Sequence, residues 1–75
     1  VEGEQVFFNY PFFTTVDTKH SEREERYVGF GQTNESRLLT VVFVIRNRKI
    51  RIISARDMNK KERAWYREEI AKIQE

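Results

Sequence analysis

Between Phe12 and Ala55 the apolar residues recur mainly at every second position, the period of a half-buried strand, and beyond Lys60 they recur at helical spacing. Residues 12–17 predict a first strand with Phe12, Thr14 and Val16 on one face. Residues 25–32 predict a second, in which Val28 and Phe30 face one way and Tyr27, Gly29 and Gly31 the other. Two glycines inside a strand indicate a bulge or a close backbone approach. Thr33-Asn34-Glu35-Ser36 reads as a turn. Residues 37–46 carry apolar side chains on both faces, as a central strand does. Asn47-Arg48 makes a tight turn, asparagine tolerating the left-handed backbone, and residues 49–55 pair back as a fourth strand. The expected core of these last two strands is Leu39, Val41, Phe43, Ile50 and Ile52.

In residues 60–73, Trp65, Tyr66, Ile70 and Ile73 fall within one arc of a helix. Asn59 is placed to cap it and Glu62 to return the bond, an Asn-x-x-Glu capping box. Ahead of the strands, residues 1–9 read as the end of a helix that Pro11 terminates, because the residue before proline is driven to extended backbone. The pattern predicts an α+β fold, an antiparallel four-stranded β-meander with a C-terminal helix, as one domain over residues 1–75.

At 75 residues the chain is near the lower limit for an unstapled core. It has no cysteine and a single histidine, so neither disulfides nor a zinc site is expected, and no cofactor is implied. No apolar run approaches the roughly 18 residues of a membrane span, and no signal-peptide pattern opens the chain. A cytoplasmic protein without a membrane partner is the expectation. P-loop, dinucleotide, nucleophile-elbow and HExxH patterns are all lacking. The net charge is only +2, but it is unevenly spread. Residues 1–36 carry three basic and seven acidic groups, and residues 37–75 carry eleven basic and five acidic ones. A basic half of this kind is either a nucleic-acid footprint or the partner of the acidic half.

The sharpest chemistry lies in Arg51-Ile52-Ile53-Ser54-Ala55-Arg56. Simple alternation puts Arg51, Ile53 and Ala55 on one face and Ile50, Ile52, Ser54 and Arg56 on the other. Arginine held on a strand can grip phosphate with a planar fork of donors, or it can pair with Glu22, Glu24 and Glu25 upstream. His20 titrates nearest neutrality and is the candidate base, or simply a solvated loop residue. Glu22 and Glu25 can orient it or share its role. Tyr66 is either a general acid or a core aromatic, and Glu62 either supports it across one helical turn or caps the helix. Arg48, Lys49, Lys60 and Lys61 are candidate contacts to an RNA backbone; the two lysines of the helix start serve solubility otherwise. Arg63 and Arg67 read as a solvated face. Tyr10, Phe12 and Phe13 either stack on bases or fill a core or interface.

Four blocks follow one another in order: His20-Ser21-Glu22-Arg23-Glu24-Glu25-Arg26-Tyr27, then Arg37-Leu38-Leu39-Thr40-Val41-Val42-Phe43, then Arg51 to Arg56, then Glu62-Arg63 with Tyr66. This series resembles the BrnT-type ribonuclease toxins of bacterial toxin–antitoxin pairs, whose fold is similar to the RelE-type toxins. The resemblance implies a metal-independent endoribonuclease that uses the ribose 2′-hydroxyl, and a cognate DNA-binding antitoxin as partner. It implies Arg51 and Arg56 at the phosphate, with His20, Glu22 and Tyr66 as proton-transfer groups. Such toxins begin with a W-D-x-x-K-x-x-x-N helical stretch and a K-H-x-V segment, which Val1 does not follow. The resemblance therefore implies a domain lacking its N-terminal helical segment, and a homodimer that covers the exposed sheet through a strand edge or through Phe12 and Phe13. The other reading is a non-catalytic protein-interaction domain or an inactive toxin relic.

Overall fold

A computed structural model describes residues 2–19 and 24–74, so His20 and Glu22 lie outside the described residues. The chain forms α1 (Glu2–Gln5), β1 (Phe13–Asp17), β2 (Arg26–Gln32), β3 (Leu38–Arg46), β4 (Lys49–Asp57) and α2 (Lys60–Gln74). The strands form one antiparallel sheet in the order β1-β2-β3-β4, the expected meander. Asn47 and Arg48 join β3 to β4 with φ of 50° and 66°. Positive φ at both central residues matches the twist of a two-residue hairpin.

The face of the sheet under α1 holds Leu39, Val41 and Phe43 of β3, buried with Val6. Phe7, Phe12 and Tyr27 close over them. Phe7 meets Phe43 edge-on with ring centroids 5.0 Å apart, and Tyr27 stacks on Phe43 at 5.4 Å. Such ring pairs add about 0.5–1.5 kcal/mol each beyond the area they bury. The two strand glycines make room for this layer. A Cβ on Gly29 would stand 2.6 Å from Phe12 Cζ, and one on Gly31 would stand 2.9 Å from Val6 Cβ. The glycines thus mark a close approach of side chains to β2; the bulge lies elsewhere.

The opposite face is covered by α2. Tyr66 is fully buried against Phe13, and Trp65 stands edge-on to Phe13 and Phe30. At the head of α2, Glu62 N donates to Asn59 Oδ1 at 2.8 Å and Asn59 N donates to Glu62 Oε1 at 2.9 Å. The expected capping box is formed, and it satisfies two backbone donors that the first turn would leave open.

One expectation is corrected. Ile50 is 51 % exposed and Ile52 only half-buried, although Leu39, Val41 and Phe43 are buried as expected. The cause is position: β4 is an edge strand, and α1 is one turn of helix that reaches it only near Ala55 and Ile52. Ile73 is likewise 44 % exposed, since the sheet does not extend beneath the end of α2. Phe12 and Phe13 are half-buried, one against Phe7 and Phe43 and the other against Trp65 and Tyr66. The exposed apolar side chains on and beside β4 include Phe8, Ile45, Ile50 and Ile53.

Candidate functional site

The register of β4 decides which way its arginines point. Thr40 pairs with Arg56, Val41 with Ala55 and Val42 with Ser54, but Phe43 pairs with Ile52 and Val44 with Arg51. Ile53 is the extra residue of a β-bulge, and it reverses the alternation on either side of it. Arg51 and Arg56, separated by an odd number of residues, therefore share the α2 face. Simple alternation placed them on opposite faces, and the bulge overturns that expectation.

Along this face α2 covers Phe13, Phe30, Thr40 and Arg56 but stops short of the other end of the sheet. There the strands present Asp17, Arg26, Arg46, Lys49 and Arg51 around Val44, which is buried, with Val28, Val42 and Ser54 between the two regions. Arg46 is bidentate to Glu24, with Nε donating to Oε2 at 2.8 Å and Nη2 to Oε1 at 2.5 Å. That hydrogen bonding, with the charges of Arg46, Arg26 and Arg51, holds the Glu24 carboxyl below its ordinary 4.5 despite partial desolvation. Four cations stand against two carboxylates, Asp17 and Glu24, leaving this end of the sheet with an excess of two positive charges among the described residues. Cations fixed on strands are already ordered, so an anion meeting them forfeits little side-chain entropy.

The predicted site residues divide between this end and the rest of the fold. Arg51 is exposed, lies beside Val44 on the face, and makes no ion pair with a described residue. Arg56 is instead committed to Glu62, through Nη1–Oε1 at 2.7 Å and Nη2–Oε2 at 2.9 Å, and it also donates to the Asp57 carbonyl. Neither arginine pairs directly with Glu24 or Glu25. Arg48 and Lys49 lie in the β3–β4 turn and at the start of β4, at the arginine-rich end. Lys60 and Lys61 begin α2, past the far end of β4, about 26 Å of strand away. The four basic residues thus do not form one patch.

Tyr66 lies within the core, where its hydroxyl donates to the Pro11 carbonyl and burial raises its pKa. Its proton is committed to a backbone acceptor, which suits the packing role. Glu62 accepts from Arg56, from Thr40 Oγ1 and from Asn59 N, and its pKa is lowered chiefly by the Arg56 bond. It caps the helix and clamps α2 to the sheet.

Arg26 and Arg46 escaped the sequence reading. The signal was present in the alternation Arg26-Val28-Phe30 and Thr40-Val42-Val44-Arg46, which puts both arginines on the face of Phe30. What could not be read was that α2 would leave that end of the face uncovered. Among the described residues no group of three histidine, cysteine or carboxylate side chains could hold a metal ion, and no helix is long and apolar enough to cross a membrane.

A family model described as the ribonuclease toxin BrnT of type II toxin–antitoxin systems matches residues 1–62. No match to a curated protein or to a solved structure was found.

Proposed function

The chain belongs to the BrnT family of ribonuclease toxins of type II toxin–antitoxin systems, and from that premise we propose that it cleaves RNA without a metal ion. The family supplies the RNA target and the protein antitoxin as partner. RNA carries its own nucleophile. The ribose 2′-oxygen attacks the adjacent phosphorus, the 5′-oxygen leaves, and the products are a 2′,3′-cyclic phosphate and a 5′-hydroxyl. A protein need only move two protons and stabilise the charge on the pentacovalent phosphate. His20 and Glu22, just ahead of Glu24 in the chain, are the proposed proton-transfer groups. Arg51 is the proposed phosphate donor, with Arg26 and the Arg46–Glu24 pair beside it, while Arg56 positions α2 through Glu62.

One observation carries this reading: the register of the β3–β4 hairpin pairs Arg51 with Val44 and so sets it on the same face as Arg26 and Arg46, with no carboxylate of its own among the described residues. Four cations against two carboxylates among the described residues leave a net positive charge at this end of the sheet, which suits an anion. The test is cleavage of a labelled RNA by purified protein in chelator, against the same RNA with deoxyribose at the cut site. Cleavage of the first alone, with a cyclic phosphate end, supports the proposal. Equal cleavage of both, or loss of activity in chelator, refutes it.

A second reading, a domain that works through protein contacts, is favoured by the exposed Phe8, Ile45 and Ile50 beside the open edge of β4. Unpaired strand groups next to apolar side chains suit strand addition by a second copy. Sedimentation distinguishes the cases: a dimer that Ile50→Lys dissociates supports pairing there, and a monomer at high micromolar concentration excludes it.

A further inference from the structure

On the same face of the sheet as the arginines, but at the end that α2 covers, lies a second feature that the cleavage chemistry does not use. Between β1, β2 and the first turns of α2 there is a cleft of about 690 Å³. Its walls include Phe13, Phe30 and Trp65, with Thr15 on the floor side and Lys61 and Glu62 on the helix side. Trp65 touches Phe13 and Phe30 with tilted, edge-on geometry at 5.5 and 5.1 Å, yet remains 39 % exposed. A half-open indole between two other rings is costly in so small a domain unless something covers it.

We propose that this cleft is a base-binding subsite, in which one unpaired nucleobase of the RNA lies against Trp65 while Lys61 meets its phosphate. The proposal rests on the ribonuclease reading and deepens it. The cleft's volume is that of a small-ligand site. Its rings supply the stacking platform that single-stranded nucleic acid uses without regard to sequence. Charge selects the occupant. Glu62 is matched by Arg56, so it does not oppose a phosphate, and Lys61 makes no ion pair with a described residue. Phe30 and Arg26 lie on the same face of β2, four residues or about 13 Å apart, so one short strand of RNA can reach from the cleft to the arginine cluster. The base in the cleft then sets which phosphodiester lies over Arg51, and the cleft acts as a positioning subsite.

Trp65 is the only tryptophan, so its emission reports on the cleft directly. The probe is a short 2′-O-methyl oligoribonucleotide, whose blocked 2′-oxygen prevents cleavage, compared with an abasic oligomer of equal length and charge. The base-bearing probe is expected to quench Trp65 saturably and to bind about 5- to 150-fold more tightly than the abasic one, the range of one base–aromatic stack. Lys61→Glu, at an exposed position that carries no core contact, is expected to weaken the quench-detected binding about tenfold. Trp65→Leu removes ring contacts and can unfold the domain, so the lysine variant carries the test. Equal affinity for the two probes, or oligomer binding that leaves Trp65 emission unchanged, overturns the proposal, as does quenching by apolar peptides in place of oligomers. Cleavage of unmodified RNA is measured separately. Cleavage without quenching removes the subsite and keeps the ribonuclease; quenching without cleavage does the reverse.

Discussion

Arg56 and Glu62 face each other fork to fork, guanidinium to carboxylate, with Nη1–Oε1 at 2.7 Å and Nη2–Oε2 at 2.9 Å. The pair joins the edge strand to the helix, and the same carboxylate caps that helix and accepts from Thr40. Glu62 is thus one side chain with four hydrogen bonds, and its loss should be felt across the α2 face.

Glu62→Gln should therefore lower stability by about 2–3 kcal/mol at pH 7, the scale of lost charge-assisted hydrogen bonds. The pH dependence follows from sign. The Arg56 bond depresses the folded-state pKa of Glu62 below its ordinary 4.5. Its stabilisation is therefore complete above about pH 5 and lost as pH falls through the folded value. Glu24 and Asp57, also depressed by arginine partners, act in the same direction. Urea midpoints from pH 7 to 3 should fall for the native chain and fall less for Glu62→Gln. Parallel curves would show that the carboxylate is not coupled to folding.

Position in the sheet, more than residue type, sets the cost of truncation. Phe43→Ala, in the central strand, should cost about 3–5 kcal/mol, whereas Ile50→Ala, half exposed on the edge, should cost less than about 1 kcal/mol. Equilibrium denaturation reads both. Similar losses at the two sites would mean that the edge of β4 is covered in solution.

The glycines of β2 give a test of packing that depends on named neighbours. Gly29→Ala drives a methyl into the Phe12 ring, and Gly31→Ala drives one into Val6. Each should cost about 1–3 kcal/mol through overpacking. Adding Phe12→Leu should recover more of the Gly29→Ala loss than of the Gly31→Ala loss, because a methyl at Gly31 meets Val6 Cβ at 2.9 Å as well as Phe12 Cδ1 at 3.1 Å. A double-mutant cycle with no coupling between positions 12 and 29 would contradict the close approach.

Much of the architecture was legible because it is written locally. Alternation marked the four strands, Asn47-Arg48 marked the hairpin, and Asn59 with Glu62 marked the helix start to the residue. The functional face was less so, for reasons of register and coverage. One extra residue, Ile53, moved Arg51 relative to Arg56, and no local signal distinguishes a bulged strand from a regular one of the same composition. The contact between Tyr66 and Pro11 spans 55 positions and depends on how α2 lies across β1. The family resemblance placed Arg56 and Tyr66 at the chemistry; the fold ties one to Glu62 and the other to the core.

The central claim is that the phosphate is held by Arg51, and single-turnover cleavage of labelled RNA tests it most directly. Removal of one preorganised donor typically costs about 10²–10³-fold in rate. Arg51→Ala should lose that much while melting like the native chain, because Arg51 pairs with no described carboxylate. Arg67→Ala, exposed on α2 away from the arginine cluster, should cleave at the native rate. A native rate for Arg51→Ala with the fold intact would contradict the account.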